Sequence, residues 1–171
     1  MKLPLYQIDA FTHRVFGGNP AAVCPLERWL ADETLQAIAA ENNLAATAFL
    51  VERPDGDFDL RWFTPKVEVD LCGHATLAGA EVVFSRLRQE ASKVRFHSRS
   101  GPLTVTREGE LLTMDFPAQP PRKASAEEAA AVAAALGSIP LAVWREAKFL
   151  ALLPDEAAVR RAAPNLAKVA A

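Results

Sequence analysis

The hydrophobic period changes abruptly around Cys72, and this change constrains the fold more than any other feature of the chain. Before it, Phe58, Leu60 and Trp62 alternate with Asp57, Asp59 and Arg61, the two-residue period of a half-buried strand. Val67, Val69 and Leu71 continue the alternation with Glu68 and Asp70 between them. After it, Leu77, Ala80, Phe84 and Leu87 recur at helical spacing over 75–87. Alanine and glycine at 78–80 suit a helix that other backbone approaches closely. A strand that turns into an apolar helix implies a sheet packed on that helix.

The surrounding sequence supplies further strands and few helices. Strands are expected at Leu3–Phe11, Ala21–Pro25, Thr47–Val51, Val94–Ser98, Leu103–Arg107 and Leu111–Phe116. Pro54-Asp55-Gly56-Asp57 and Glu108-Gly109 read as hairpin turns, and Gly17-Gly18-Asn19-Pro20 as a loop. Asp32 is positioned to cap a helix that carries Leu35, Ile38 and Ala39 and ends at Asn42-Asn43. Ser125 and Glu128 have capping-box spacing ahead of an alanine-rich helix stopping near Gly137. Val143–Leu153 reads as one strand, and Asp155 opens a final helix broken at Pro164. Hairpins without regular βαβ alternation predict an α+β fold with a mostly antiparallel sheet.

Composition narrows the function classes. The formal charge is −2 and no lysine/arginine block occurs, so nucleic acid is not an expected partner. No apolar run reaches the roughly 20 residues of a bilayer span, and no membrane partner is expected. Asp9 interrupts the only candidate export signal, and two cysteines make no disulfide framework. These features together predict a cytoplasmic protein with reduced thiols and a small-molecule ligand.

The stretch Asp70-Leu-Cys-Gly-His-Ala-Thr-Leu-Ala-Gly79 holds the candidate chemistry. A helix N-terminus offers free amides and positive dipole charge, a seat for a carboxylate. Gly73 leaves room for close approach, and His74 is able to carry a proton near neutral pH. Cys72 stands where a thiolate would be favoured. Plainer readings remain open: His74 as a turn histidine bonded locally, and Cys72 as buried apolar filler. Glu68 and Asp70 are expected on the solvent face of a strand rather than as a paired acid site. Three scattered histidines give no metal-ligand spacing, so no metal is expected. Ser98 and Ser100 lack a nucleophile elbow.

The run "RWFTPKVEVDLCGHATLAGAEVV", with "GGNPAAV" upstream and "ENNLAATAFLVE" between, closely resembles the PhzF-like phenazine biosynthesis family of the diaminopimelate epimerase-like superfamily. "QIDAFT" at 7–12, "SGPLTV" at 100–105 and "MDFPA" at 114–118 extend the resemblance. It implies a lobe of barrel-like, mostly antiparallel sheet around a central helix, paired with a second lobe across a substrate cleft. On this basis 1–120 is the first lobe, and 121–171 the connecting helix and the start of a second. The second lobe's glycine-rich Asp-Pro-x-Thr-Gly-Ser segment has no counterpart in these 171 residues.

The implied chemistry is isomerisation or epimerisation without a cofactor, by proton transfer on a small carboxylated, amino-acid-derived metabolite. The resemblance implies Cys72 and His74 as catalytic residues, and Gly73, Ala75, Thr76 and Asn19 as substrate-binding ones. It also implies a homodimer. Family members generally read Asn-Leu-Ser-Glu-Thr-Ala-Phe where this chain has Asn43-Leu-Ala-Ala-Thr-Ala-Phe49. The general acid/base glutamate is thus replaced by Ala46 and the serine by Ala45, which is expected to weaken the reaction. The alternatives are a non-catalytic small-acid-binding protein and an inactive remnant.

Overall fold

The computed structural model describes residues 2–14 and 16–170, and the chain divides into two compact units, Met1–Phe116 and Pro117–Ala171. The first unit contains β1 (Tyr6–Ala10), β2 (Asn19–Leu26), α1 (Asp32–Asn42), β3 (Ala46–Glu52), β4 (Phe58–Phe63) and β5 (Glu68–Val69). Then come α2 (Gly73–Val82), β6 (Lys93–Ser98), β7 (Gly101–Glu108) and β8 (Leu111–Met114). The sheet runs β1-β2-β3-β4-β6-β7-β8, with β5 branching from β4. Among the described residues, only β2–β3 and β4–β6 pair in parallel. It is an α+β fold, a curled half-barrel whose concave face packs on α2.

The alternation at 58–62 becomes structure as the spacing predicts. Phe58, Leu60 and Trp62 are buried in the core with Ala46, Ala48 and Leu50 of the paired strand. Gly56, at φ 89°, takes the left-handed conformation that the tight 53–57 turn requires. β2 and β3 read as continuous apolar runs because they are covered on both faces. α2 packs on one, while Leu35 and Ala39 of α1 pack with Cys24, Phe49 and Phe63 on the other. Gly79 faces Leu50 and Phe96, where an added Cβ would still be in ordinary contact at 3.5 Å. Small residues at 78–80 thus let the sheet close on the helix.

Several expectations require correction. Asp32 is the first residue of α1 rather than its cap: Ala31 holds that place without a side-chain bond, and Asp32 pairs with Arg61 at 2.9 Å. The helix at 75–87 is α2 to Val82, followed by a π-turn at Val83–Leu87. β1 is shorter than predicted: it begins at Tyr6 rather than Leu3, and it ends at Ala10 because Phe11 adopts φ 63° and leaves the strand. Asn19 and Pro20 belong to β2, opposite Ala10 and Asp9, rather than to the preceding loop. Glu68 is not a solvated carboxylate. Its side chain is 14% exposed and accepts two 2.7 Å bonds from Arg61, while Arg99 approaches within 2.8 Å.

The second unit contains β9 (Arg122–Lys123), α3 (Ala126–Leu136), β10 (Ala142–Arg145), β11 (Phe149–Leu152), α4 (Glu156–Arg161) and α5 (Leu166–Val169). The predicted single strand at 143–153 is a hairpin, since the polar Glu146-Ala-Lys148 segment turns the chain between β10 and β11. The Ser125–Glu128 capping box forms in full, and Arg122 and Arg145 hold the Glu128 carboxylate at 2.7 and 2.6 Å. These cations keep its carboxyl far below the usual carboxylate range. No residue of α3 is buried, so the cap contributes much of this helix's stability. Ser125→Ala is expected to cost about 1 kcal/mol. Denaturant unfolding followed by Trp144 fluorescence checks this; an unchanged midpoint would count against it.

Candidate active site at the helix terminus

Two contacts orient α2 within the curled sheet. Gly79 lies against Leu50 of β3, and Gly73 lies against Met114 and Phe116 at the end of β8. The helix therefore runs parallel to β3 and antiparallel to β8. Its N-terminus sits at the end of the half-barrel where β2 and β3 begin and β1, β4, β6 and β8 finish. Asn19 opens β2 there, and Ala46 opens β3 opposite Ala21. Ser98, ending β6, donates to the Gly101 carbonyl at 2.9 Å, and Ser100 donates to the Asp70 carbonyl at 2.8 Å. Residues 19, 46 and 72–76, distant in sequence, are thus gathered at one end.

Within this end, Cys72 is the N-cap residue of α2, in extended conformation, and His74 lies in the first turn. Cys72 Sγ and His74 Nδ1 are 3.4 Å apart. His74 Nε2 is buried and has no hydrogen-bond partner among the described residues. In the neutral ring one nitrogen carries the proton and the other a lone pair. Either assignment leaves a buried donor or acceptor unused at Nε2, an arrangement that a bound polar group would satisfy.

Burial lowers the His74 pKa below its ordinary value of 6.5, so the ring is neutral at pH 7 and able to accept a proton. The unfolded chain takes up that proton near pH 6.5, whereas the folded chain resists it. Stability therefore falls as pH drops from about 6.5 toward the depressed folded value. His74→Asn is expected to flatten the stability curve over that window. Identical slopes for both proteins in acid titrations of unfolding would refute the assignment.

The other candidates are placed less openly. Ala75 and Thr76 are fully buried, and the Thr76 hydroxyl donates to the Cys72 carbonyl at 2.7 Å. The Thr76 N–H also bonds the Cys72 carbonyl, at 3.1 Å, so of these two residues it is the Ala75 backbone amide that remains to meet a ligand. A Cβ on Gly73 would stand 3.4 Å from the Phe116 ring and 3.9 Å from Met114 Cε. The space at Gly73 is therefore occupied by Phe116, which is itself 38% exposed. The cavities of about 670 and 480 Å³ in this unit are lined by other residues. Cys24, by contrast with Cys72, is core filler; burial pushes its thiol up to about 11.

Sequence spacing missed one cluster. Asp55, Asp57 and His97 bring ligand-type atoms within 4.8 Å of one another, because parallel β4–β6 pairing sets Asp59 beside His97. His97 Nε2 lies 2.8 Å from Asp57, Arg53 binds Asp55 at 3.3 Å, and Arg95 lies 3.9 Å from Asp57. With two arginines at hand, the group is an ion-pair cluster whose charges already have partners.

Comparison with known proteins agrees with this architecture. The family model for "Phenazine biosynthesis-like protein" matches residues 8–171. The chain belongs to this family. Two Pseudomonas aeruginosa relatives, each described as an uncharacterized isomerase, are 50% and 47% identical to it; the chain aligns over 99% of its own length with each. A mouse phenazine biosynthesis-like domain-containing protein is 48% identical over 127 residues, covering 70% of this chain and 44% of its own length. A PhzF-family crystal structure from Enterococcus faecalis superposes with TM-score 0.89 at 42% identity, covering 98% of this chain and 64% of that one. A Pseudomonas aeruginosa structure described as a predicted epimerase gives TM-score 0.72 at 25% identity, covering 99% and 68%. The family fold is therefore that of the PhzF and epimerase-like proteins. The chain spans 64% of the length of each Pseudomonas isomerase. Among the described residues no helix is long and apolar enough to cross a membrane.

Proposed function

We propose that the protein is an isomerase or epimerase by ancestry, moving a proton on a carbon of a small carboxylated, amino-acid-derived metabolite, and that Ala46 leaves this proton transfer weakened. The observation that carries the reading is the Cys72–His74 pair, 3.4 Å apart at the N-terminus of the buried helix α2. Its resemblance to proteins described as isomerases supports the same reading.

In this reading the first-turn amides of Gly73 and Ala75, with Asn19, hold the carboxylate at the positive end of the helix, and Thr76, whose N–H and hydroxyl both bond the Cys72 carbonyl, fixes that end in place. Neutral His74 accepts the proton, and Cys72 holds the ring through Nδ1. One C–H bond breaks and another forms, so atoms and electrons balance within the substrate and the step demands no cofactor. A ligand reaching Gly73 displaces Phe116. The protein acts as a cytoplasmic homodimer in which a second copy completes the cleft.

A second reading, small-acid binding without chemistry, is favoured by Ala46 itself, since a buried methyl group neither donates nor accepts a proton. Incubation with small amino and hydroxy acids in D₂O separates the two. Isomerase ancestry predicts slow α-hydrogen exchange that Cys72→Ala or His74→Asn abolishes. Saturable binding without exchange supports the second reading. Neither binding nor exchange across the panel would sink both.

A further inference from the structure

The backbone that delivers Cys72 to the helix end has little regular structure of its own. β5 is two residues long, and Asp70 and Leu71 join it to Cys72 outside any strand or helix. Cys72 occupies the N-cap position without a side-chain capping bond, and the first turn of α2 holds no acidic residue. This helix end therefore lacks the side-chain chemistry that ordinarily fixes one. Its placement has to be set from outside.

Side chains of three other elements reach the approaching segment. Arg61 of β4 donates from Nε and one terminal nitrogen to the two Glu68 oxygens, both at 2.7 Å. Its other terminal nitrogen donates to Asp32 of α1 at 2.9 Å. The guanidinium carbon lies 5.4 Å from the Trp29 ring centroid and 5.1 Å from that of Phe63, so aromatic rings flank the fork as well. Arg99, on the β6–β7 turn, reaches Glu68 at 2.8 Å, and Ser100 beside it donates to the Asp70 carbonyl at 2.8 Å. Gln36 of α1 donates to the Thr64 carbonyl at 2.9 Å, and the Thr64 hydroxyl accepts from the Val67 amide at 3.0 Å. The segment 64–70 is thus gripped along its length, with the strongest grip four residues before Cys72. Arg61 and Glu68 are both mostly buried, so water competes little for their two-point pair.

We propose that Arg61 and Glu68 are positioning residues of the candidate site. Their pair holds the approach to Cys72, and through it keeps the first turn of α2 formed and Cys72 Sγ against His74 Nδ1. Neither residue touches the substrate. The catalytic consequence rests on the isomerase reading above; the positioning itself does not. With the pair broken, the 70–72 segment moves, the first turn frays, and water reaches the buried His74 ring. Lysine at 61 keeps the charge but has neither the fork nor the flat face, so it does not replace arginine.

Arg61→Lys and Glu68→Gln test this by NMR on the protein, with Asp32→Asn as a control that spares the Glu68 pair. The Thr76 amide, bonded to the Cys72 carbonyl, is expected to exchange tenfold or more faster in both test variants. The Val83 amide, bonded within the last turn of the same helix, is expected to keep its wild-type rate. The His74 titration midpoint, held down by burial, is expected to rise toward 6.5 in both. Asp32→Asn should move none of these. For the acid that exchanges its α-hydrogen best, kcat should fall about tenfold in both test variants with KM little changed. If wild type exchanges no acid, the isomerase reading fails while the NMR results still decide the positioning. The proposal is overturned if Thr76 exchange and the His74 midpoint stay at wild-type values. It is equally overturned if Thr76 and Val83 accelerate together, which would make the pair a contributor to stability alone.

Discussion

Introducing a carboxylate at position 46, by Ala46→Glu, is expected to raise the rate of substrate α-hydrogen exchange by about 10²–10⁴-fold, the usual contribution of a positioned general acid or base. Ala46 opens β3 at the end of the half-barrel where α2 begins, so a side chain there meets the same region as Cys72 and His74. It is 1% exposed, and its neighbours in the core are apolar. Desolvation would therefore raise the new carboxyl toward neutrality, where it exchanges protons well with carbon acids. Neighbouring Ala45 is exposed and Glu41 lies on the exposed part of α1, so neither substitutes for it. Deuterium incorporation measured by mass spectrometry for wild type and variant, with circular dichroism to verify folding, makes the comparison. A folded variant with the wild-type exchange rate would remove position 46 from the reaction.

Trp62→Ala is expected to cost about 3–5 kcal/mol, the usual loss when a large buried aromatic is truncated. Trp62 heads the fully buried side chains of the first unit by volume, and it packs in the cluster that joins β2, β3, β4 and α2. Ala48 and Val69 are its cross-strand partners, too small to fill the space it would leave. Its indole Nε1 is buried without a hydrogen-bond partner among the described residues. An unpaired buried donor costs about 1–3 kcal/mol, so Trp62→Phe removes a penalty while keeping most of the ring. The phenylalanine variant should therefore lose at least about 2 kcal/mol less than the alanine one. Urea unfolding of both variants decides it. Equal losses would show that the indole N–H is bonded in solution and that Trp62 does more than fill space.

The residues that made the fold legible are those whose partners lie close in sequence. The Phe58–Trp62 alternation and the 54–57 turn are local, and they produce the β3–β4 hairpin. The helical spacing after Cys72 likewise marks α2, and the Ser125–Glu128 box forms as written. Expectations failed where a distant group intervened. Glu68 looks solvated in its strand, yet Arg99 arrives from the β6–β7 turn and Arg61 from the neighbouring strand to clasp it. Gly73 looks open, yet Phe116 returns from the end of β8 to cover it. The Asp55–Asp57–His97 cluster depends on parallel pairing of β4 with β6, which no short spacing encodes.

By itself the amino-acid sequence determined the α+β class, the strand–helix switch at Cys72, the family and the presence of an untitratable alanine at position 46. Those rest on hydrophobic period, capping chemistry and residue identity, which act over a few bonds along the chain. Tertiary structure alone decided that Asn19, Ala46 and His74 share one end of the half-barrel and that Phe116 stands over Gly73. These are consequences of sheet order and strand direction, set by pairings between segments tens of residues apart.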